Sequence, residues 1–228
     1  MGSVAAQLPQ NSNLLQDLLH SLSQPLTTLH CALEHSLGQD DPEHPSESAF
    51  ALEQTDRVIE LVRLMREYVD AETGCFLAAP FPLGLAVENV LEQISVLAEV
   101  RGLRLFAYGT STVSIPVRGA WLQRALLYLT SELLNVAPAG CAVTILLEDG
   151  PFQSVLSAHC VPTNSSDDPM RELPAQNPEA KTAHQVKIEI ARRVLANSGA
   201  SLDFYSNGQA GFVIRVPKHG SDLSEIPA

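Results

Sequence analysis

Leucines recur every three or four residues along the first predicted helix, from Ser12 to about Leu37, which places them on one stripe of an amphipathic helix. They are Leu15, Leu18, Leu22, Leu26, Leu29, Leu33 and Leu37. A second helix is predicted over 46–71, with one face formed by Leu52, Thr55, Ile59, Val62, Met65 and Val69. A short polar loop rich in Pro and Gly joins the two, which predicts an antiparallel hairpin. One hairpin cannot bury both stripes, so we expect two copies to pair into a four-helix bundle.

After residue 73 the pattern changes to shorter helices alternating with strands. Helices are predicted over 84–101, 119–137 and 183–199. Strands are predicted over 103–109, 111–117, 141–149, 152–161, 200–206 and 211–217, with a hairpin turn at Asp149-Gly150. Adjacent strands in hairpins, with helices on one sheet face, predict an α+β fold. The expected organisation is a disordered 1–11, a hairpin domain over 12–73, an α/β sandwich over 74–217 and a flexible tail over 218–228.

Composition limits the partners and the location that we expect for this protein. Hydrophobic residues make up 45% of the 228, enough for a core, and 14 basic against 26 acidic residues give a net charge of -12. That charge excludes nucleic acids and anionic membranes as expected partners, because both need a basic face. Two prolines break the longest apolar run, and no signal peptide is evident. The four cysteines are scattered, so we expect neither a metal site nor disulfides, and a cytoplasmic location.

The first helix contains an unusual proline. Interior proline typically costs a helix roughly 3 kcal/mol and would leave the Ser21 carbonyl without its helical donor at Pro25. At about 100° per residue, His20 lies roughly 200° from Leu18, outside the apolar stripe, and Gln24 shares its face. An exposed imidazole is a usable nucleophile near neutral pH, so His20 is a candidate phosphoacceptor beside a bend shaped by Pro25. The alternative is an ordinary solvated surface histidine.

The stretch "HSLSQPLTTL", followed by a second helix and an α+β domain, resembles the histidine-kinase family. It matches that family's phosphoacceptor motif at His20, Leu22, Pro25, Leu26 and Thr27. The closing order of helix, Gly, strand, turn and strand is also similar, and the resemblance covers roughly 12–217. It implies a dimeric phosphoacceptor hairpin followed by a Bergerat-type ATPase domain.

The motif departs from the family around the histidine. Ser21 and Ser23 stand where the family has an acidic and a basic neighbour, and Gln24 replaces a Thr or Asn. An amide at Gln24 can still orient a water or a partner group, and Ser21, Ser23 and Thr27 remain candidate contacts for a phosphoryl group or partner. The first helix has no Lys or Arg, so compensating positive charge would come from a receiver's Mg²⁺ and lysine or from the second helix. The basic residues there are Arg57, Arg63 and Arg66.

The resemblance also implies a degenerate nucleotide site. Tyr128 and Glu132 stand where the family has Mg²⁺-binding asparagines, and one carboxylate is a weak cation ligand. The strand that should end in an adenine-binding DxGxG has Ala158 and no Asp or Gly there. Gln185 and Lys187 occupy the positions of phosphate-cradling glycines. We therefore expect no ATP binding and no cofactor, with Mg²⁺ only on a partner receiver domain.

A fold with a phosphoacceptor histidine but no nucleotide motifs resembles the histidine phosphotransferases of phosphorelays. The resemblance implies a homodimer in which His20 carries a phosphoryl group to and from the aspartate of a response-regulator receiver domain, with the degenerate domain as a docking surface. Three alternatives stay open. The chain is a non-catalytic pseudokinase scaffold or inhibitor, a divergent ATP-dependent kinase, or a transferase that also removes phosphate from receiver aspartates through Gln24.

Overall fold

A computed structural model describes residues 11–38, 45–74, 79–138, 140–162, 178–205 and 210–218. Residues 163–177, all of the predicted disordered N-terminus except Asn11, and all of the predicted tail except Lys218 lie outside the described residues. The described chain divides into two compact units. The hairpin unit comprises the residues up to Val69 together with 178–186, and the sheet unit comprises the rest, beginning at Asp70 and resuming at Lys187.

The hairpin unit is built from helix α1 (Asn11–Gly38) and helix α2 (Pro45–Thr73). α1 runs without interruption through Pro25, so the proline bends the helix at most and does not end it. Leu18, Ser21 and Pro25 are buried, and their three- and four-residue spacing defines the inward face of α1. The antiparallel helical hairpin expected from the leucine pattern is present.

The inward face of α2 differs from the predicted stripe. Leu52 and Ile59 are 62% and 60% exposed, whereas the buried positions are Gln54, Leu61, Leu64, Glu67 and Tyr68. α2 has apolar residues on two faces, and the three- and four-residue spacing cannot tell which face turns inward. The predicted stripe is therefore largely exposed in the single chain, and a second face of α2 turns inward.

Large apolar side chains therefore remain on the surface of both helices of the hairpin. We call them the outer stripe, and they comprise Leu19, Leu26, Leu33, Leu52, Ile59, Val62 and Val69. On each helix they are rotated in the same sense from the buried face. Because the helices are antiparallel, equal rotation brings both sets to the same side of the hairpin.

In its described residues, the sheet unit contains seven strands and three helices, α5 contributing its part from Lys187 onward. The helices are α3 (Leu83–Val100), α4 (Gly119–Val136) and α5 (Pro178–Asn197). The strands are β1 (Phe81–Pro82), β2 (Arg104–Gly109), β3 (Ser114–Ile115), β4 (Cys141–Asp149), β5 (Gln153–Pro162), β6 (Ser201–Tyr205) and β7 (Gly211–Pro217). Five strands form one sheet in the order β2-β4-β5-β7-β6, and β1 pairs with β3.

The α+β class is confirmed, but the strand pairing is more mixed than expected. β4–β5, β5–β7 and β6–β7 pair antiparallel, whereas β2 pairs with β4 in parallel. A parallel pair needs a crossover connection, and α4 supplies it. The prediction paired adjacent strands in hairpins and therefore missed this parallel pair. Alternation of apolar and polar residues indicates which face of a strand is buried, but not which strand lies beside it. The predicted strand over 111–117 is reduced to the two residues of β3, and β1 was not predicted.

Burial alternates along the central strands, as a sheet with one helix-covered face requires. α3 packs on α4 and β2, and α4 contacts β5. The largest fully buried side chains of this unit include Ile94, Leu129 and Phe212. Among the helices of the described residues, none has the length and apolarity that a membrane crossing requires.

Glycines end two of the helices. Gly102 follows α3 with φ +67°, and the next amide, of Leu103, donates to the carbonyl of Ala98 at 2.9 Å. This is a Schellman ending, which needs a left-handed residue that glycine adopts without a Cβ penalty. Gly199 ends α5 in the same way. The sequence thus fixes where these helices turn into β2 and β6.

Candidate functional site

His20 lies on the exposed side of α1, one residue before the buried Ser21. Gln24, one helical turn later, is exposed on the same side. On the helical wheel His20 is roughly 100–140° from the α1 members of the outer stripe. The histidine and the apolar surface of the hairpin therefore face different directions.

Hydroxyl groups around Pro25 are engaged with the helix backbone. Ser23 Oγ donates to the Leu19 carbonyl at 3.0 Å, and Thr27 Oγ1 donates to the Ser23 carbonyl at 2.9 Å. Hydroxyls bonded to the carbonyl four residues earlier favour helix bending, which suits a segment with proline at its centre. Of the candidate contacts for a phosphoryl group, Ser23 and Thr27 are exposed but bonded within α1, and Ser21 is buried.

The candidate cations on α2 occupy different environments. Arg63 is half exposed and pairs with Glu60 at 2.6 Å. Arg57 is partly buried. The number of residues from the start of α2 to Arg63 equals the number from His20 to the end of α1. In an antiparallel hairpin this equal distance from the loop places Arg63 at about the height of His20.

Three residues of the predicted degenerate nucleotide site come together in the sheet unit. Lys187 Nζ on α5 lies 3.4 Å from Glu132 Oε1 on α4 and 5.9 Å from the centroid of the Tyr128 ring. Asn135 Nδ2 donates to the other carboxylate oxygen of Glu132 at 3.2 Å. We call Tyr128, Glu132, Asn135 and Lys187 the α4–α5 cluster. Asn135 was missed from the sequence, although its position three residues after Glu132 is the spacing at which helical side chains meet.

The α4–α5 cluster does not fit a magnesium–nucleotide complex. Mg²⁺ demands near-octahedral oxygen coordination, whereas one oxygen of Glu132 faces an ammonium group and the other an amide donor. The ammonium would also repel a second cation. No group of three or more His, Cys, Asp or Glu side chains suited to a metal is found among the described residues.

The remaining two predicted nucleotide-site residues lie elsewhere. Ala158 is fully buried on the central strand β5, opposite Ile145 on one side and Phe212 on the other. Gln185 is an exposed residue of α5. Ala158 is thus part of the core of the sheet unit, and packing between neighbouring strands explains a small apolar residue at this position.

A second polar cluster, unpredicted from the sequence, surrounds Asp149 at the end of β4. Its carboxylate accepts hydrogen bonds from the hydroxyls of Ser154, Ser111 (2.7 Å) and Thr112 (3.1 Å) and from the Thr112 amide at 3.1 Å. Lys218 Nζ lies 3.5 Å away. These donors, led by Ser154, hold the pKa of Asp149 well below its usual range. Asp149 thereby joins the loop after β2, the start of β5 and the residue after β7.

The described cysteines fall into two kinds. Cys31 is exposed on α1, whereas Cys141 and Cys160 are buried on neighbouring strands. Burial raises the pKa of Cys141, and burial together with the nearby Cys141 raises the pKa of Cys160 to about 11. Thiols of this kind are unreactive near neutral pH because the thiolate is the reactive form.

Comparison with known proteins defines the fold. No protein-family model matches the chain, and no curated protein sequence matches it significantly. Among solved structures, it is similar to the Acinetobacter baumannii histidine kinase AdeS, with a TM-score of 0.64 and 15% identity over 88% of this chain and 98% of that one. The fold is therefore that of a histidine kinase, a helical hairpin followed by a kinase-like ATPase-type sandwich.

Two longer proteins share this fold. The histidine kinase ThkA, solved in complex with the response regulator TrrA, has a TM-score of 0.63 and 13% identity over 88% of this chain and 59% of its own. ShkA, solved at full length in complex with AMPPNP, has a TM-score of 0.56 and 14% identity over 89% of this chain and 45% of its own. The chain thus spans little more than half of the ThkA chain and less than half of ShkA.

Proposed function

We propose that this protein is a two-component signalling protein whose His20 carries a phosphoryl group to and from the aspartate of a response-regulator receiver domain, without binding ATP. The observation that carries the proposal is the contrast between two places on a histidine-kinase fold. His20 is exposed on the hairpin in the helix that contains Pro25, whereas Glu132, at the expected Mg²⁺ position, forms an internal ion pair with Lys187.

The hairpin supports a homodimer. The outer stripe leaves seven large apolar side chains on one side of two helices, each 44–62% exposed. A contiguous apolar surface of this kind is typical of an interface. Pairing of two hairpins through the outer stripe gives a four-helix bundle and leaves His20 accessible, because it faces away from that side.

The receiver domain is the partner that this geometry suits. The ThkA structure is a complex of a histidine kinase with a response regulator, and its fold is shared by this chain. In the transfer step a ring nitrogen of His20 attacks the phosphorus of a receiver aspartyl phosphate. The P–N bond forms as the acyl P–O bond breaks, and the aspartate carboxylate leaves; delivery to a second receiver reverses these bonds.

The charge on the phosphorylated histidine needs compensation. A phosphoryl group adds nearly two negative charges, and α1 offers no basic residue before Gly38. Arg63, at about the height of His20, is the nearest candidate cation by position along the hairpin, and Arg57 lies further toward the loop. The receiver's own Mg²⁺ completes the compensation, so this chain needs no cofactor. Gln24 is placed to orient a water molecule or the phosphoryl group.

The test is chemical phosphorylation with phosphoramidate, mapping of acid-labile phosphate by mass spectrometry, and transfer to a panel of receiver domains. We expect label on His20 that moves to one receiver within seconds, and none after His20→Ala. His30→Ala is the matched control, an exposed histidine on the same helix, and should leave transfer unchanged. Transfer that survives His20→Ala would refute the proposal.

A pseudokinase scaffold or inhibitor is the second candidate. It is favoured by the neighbours of His20, because Ser21 is buried and the Ser23 hydroxyl is bonded to Leu19, so neither assists proton or phosphoryl transfer. This candidate predicts that His20→Ala binds the receiver as tightly as the wild type and that no label moves. An ATP-dependent kinase would instead show binding of MgATP in a calorimetric titration.

A further inference from the structure

The α4–α5 cluster contains a buried carboxylate that is neutralised by the chain itself. The Glu132 side chain is 5% exposed; Lys187 faces one of its oxygens, and Asn135 donates to the other. A buried carboxylate is strongly unfavourable without compensation, so the Lys187 ammonium group stabilises Glu132 in its ionised form. The lysine side chain is 23% exposed, which leaves its ammonium group partly hydrated at the edge of the cluster.

The Tyr128 ring strengthens the position of the ammonium group. Its centroid is 5.9 Å from Lys187 Nζ, within the range of a cation–π contact. The lysine thus bridges two residues of α4, one turn apart, from the neighbouring helix α5. Because it is tethered, the cation is present at a constant effective concentration and does not depend on free metal.

We infer that Lys187 is an internal substitute for a divalent cation, linking α5 to α4 through Glu132 and Tyr128 so that the sheet unit is stable without metal or nucleotide. This inference rests on the part of the proposed function that excludes ATP. The ion pair explains how the Glu132 carboxylate can be buried without a metal ion. In a metal site the same carboxylate would be a ligand. In this chain the carboxylate is held by an ammonium group.

The experiment is thermal unfolding of the full chain, with and without millimolar MgCl₂. Lys187→Ala should lower the melting temperature by about 5 °C, because it removes the ammonium group from a buried carboxylate. Adding Glu132→Gln to that variant should restore part of the loss, because the buried charge is gone. MgCl₂ should raise the melting temperature of Lys187→Ala and leave the wild type and the double variant unchanged.

Arg192→Ala is the matched control. Arg192 lies on the same helix and forms an ion pair with Glu189 at 2.5 Å, but its side chain is 48% exposed. Its loss should shift the melting temperature by less than about 1 °C. A Lys187→Ala variant as stable as the wild type, no recovery in the double variant, or no response of Lys187→Ala to MgCl₂ would each overturn the inference. None of these outcomes depends on His20, so phosphoryl transfer is tested separately.

Discussion

The hairpin unit and the sheet unit differ in whether their candidate functional groups are exposed or bonded within the chain. On the hairpin, His20 and the outer stripe are exposed, so both the candidate nucleophile and the apolar surface are available to partners. In the sheet unit, Lys187 of the expected nucleotide site contacts Glu132 and Tyr128 of the same site, and Asp149 accepts hydrogen bonds from its own chain. One chain can thus leave polar and apolar side chains available to partners in one unit and engage its polar groups internally in the other.

Core truncation gives the largest expected difference between the units. Leu129→Ala removes a fully buried side chain of α4 and should destabilise the sheet unit by about 2–5 kcal/mol. Leu52→Ala, in the outer stripe, should cost less than about 1 kcal/mol in the monomer, because the side chain is already 62% exposed. Urea unfolding at low protein concentration measures both. Equal losses would mean that the outer stripe is not a surface in the monomer.

A charge placed in the outer stripe tests its role in assembly. Ile59→Asp should weaken the homodimer at least about 100-fold, or roughly 2.7 kcal/mol, because a carboxylate would be buried without a partner. Glu53→Ala, an exposed position of α2 outside the stripe, should leave the dimer intact. Sedimentation velocity over a concentration series distinguishes the two. A wild type that stays monomeric throughout would contradict the bundle.

Removal of the Asp149 carboxylate tests the structural polar cluster. Asp149→Ala should cost about 1–2 kcal/mol, because it leaves the fully buried Ser154 hydroxyl without its acceptor. Asp203→Ala is the control, since Asp203 is 65% exposed and pairs with Arg215 at the surface; it should change stability by less than about 0.5 kcal/mol. Urea unfolding at neutral pH measures both variants.

The same cluster predicts a pH dependence. The pKa of Asp149 is lowered on folding, so its contribution to stability is complete above its unfolded pKa of about 3.9. It is lost as the pH falls from there through the lower folded value. The difference in stability between wild type and Asp149→Ala should therefore be constant above about pH 5 and shrink below about pH 4. A difference that stays constant into strong acid would show that the carboxylate charge is not involved.

Thiol labelling gives the smallest expected effect. Iodoacetamide at pH 8 should modify Cys31 on the hairpin within minutes and leave Cys141 and Cys160 unmodified in the folded protein. The two buried thiols should react only on unfolding, because burial raises the pKa of both. Peptide mapping by mass spectrometry identifies the modified residues. Rapid modification of Cys160 would contradict the burial of β5.

Local patterns predicted much of the architecture and only part of the site. Leucine spacing located α1 and α2, and the Asp149-Gly150 pair located the turn between β4 and β5, because both depend on residues within a few positions. From the sequence, Asp149 was predicted only as a turn residue. Its hydrogen bond with Ser111 was not predicted, because Ser111 lies 38 positions earlier. The parallel pairing of β2 with β4 was missed for the same reason.

The sequence by itself determined the helices, the turn between β4 and β5 and the outward position of His20. These follow from periodicity, glycine conformation and the chemistry of single side chains. Only the tertiary structure decided which face of α2 turns inward and that Lys187 meets Glu132. Those outcomes depend on which surfaces pack together across long stretches of chain, where burial free energy and charge pairing override local pattern.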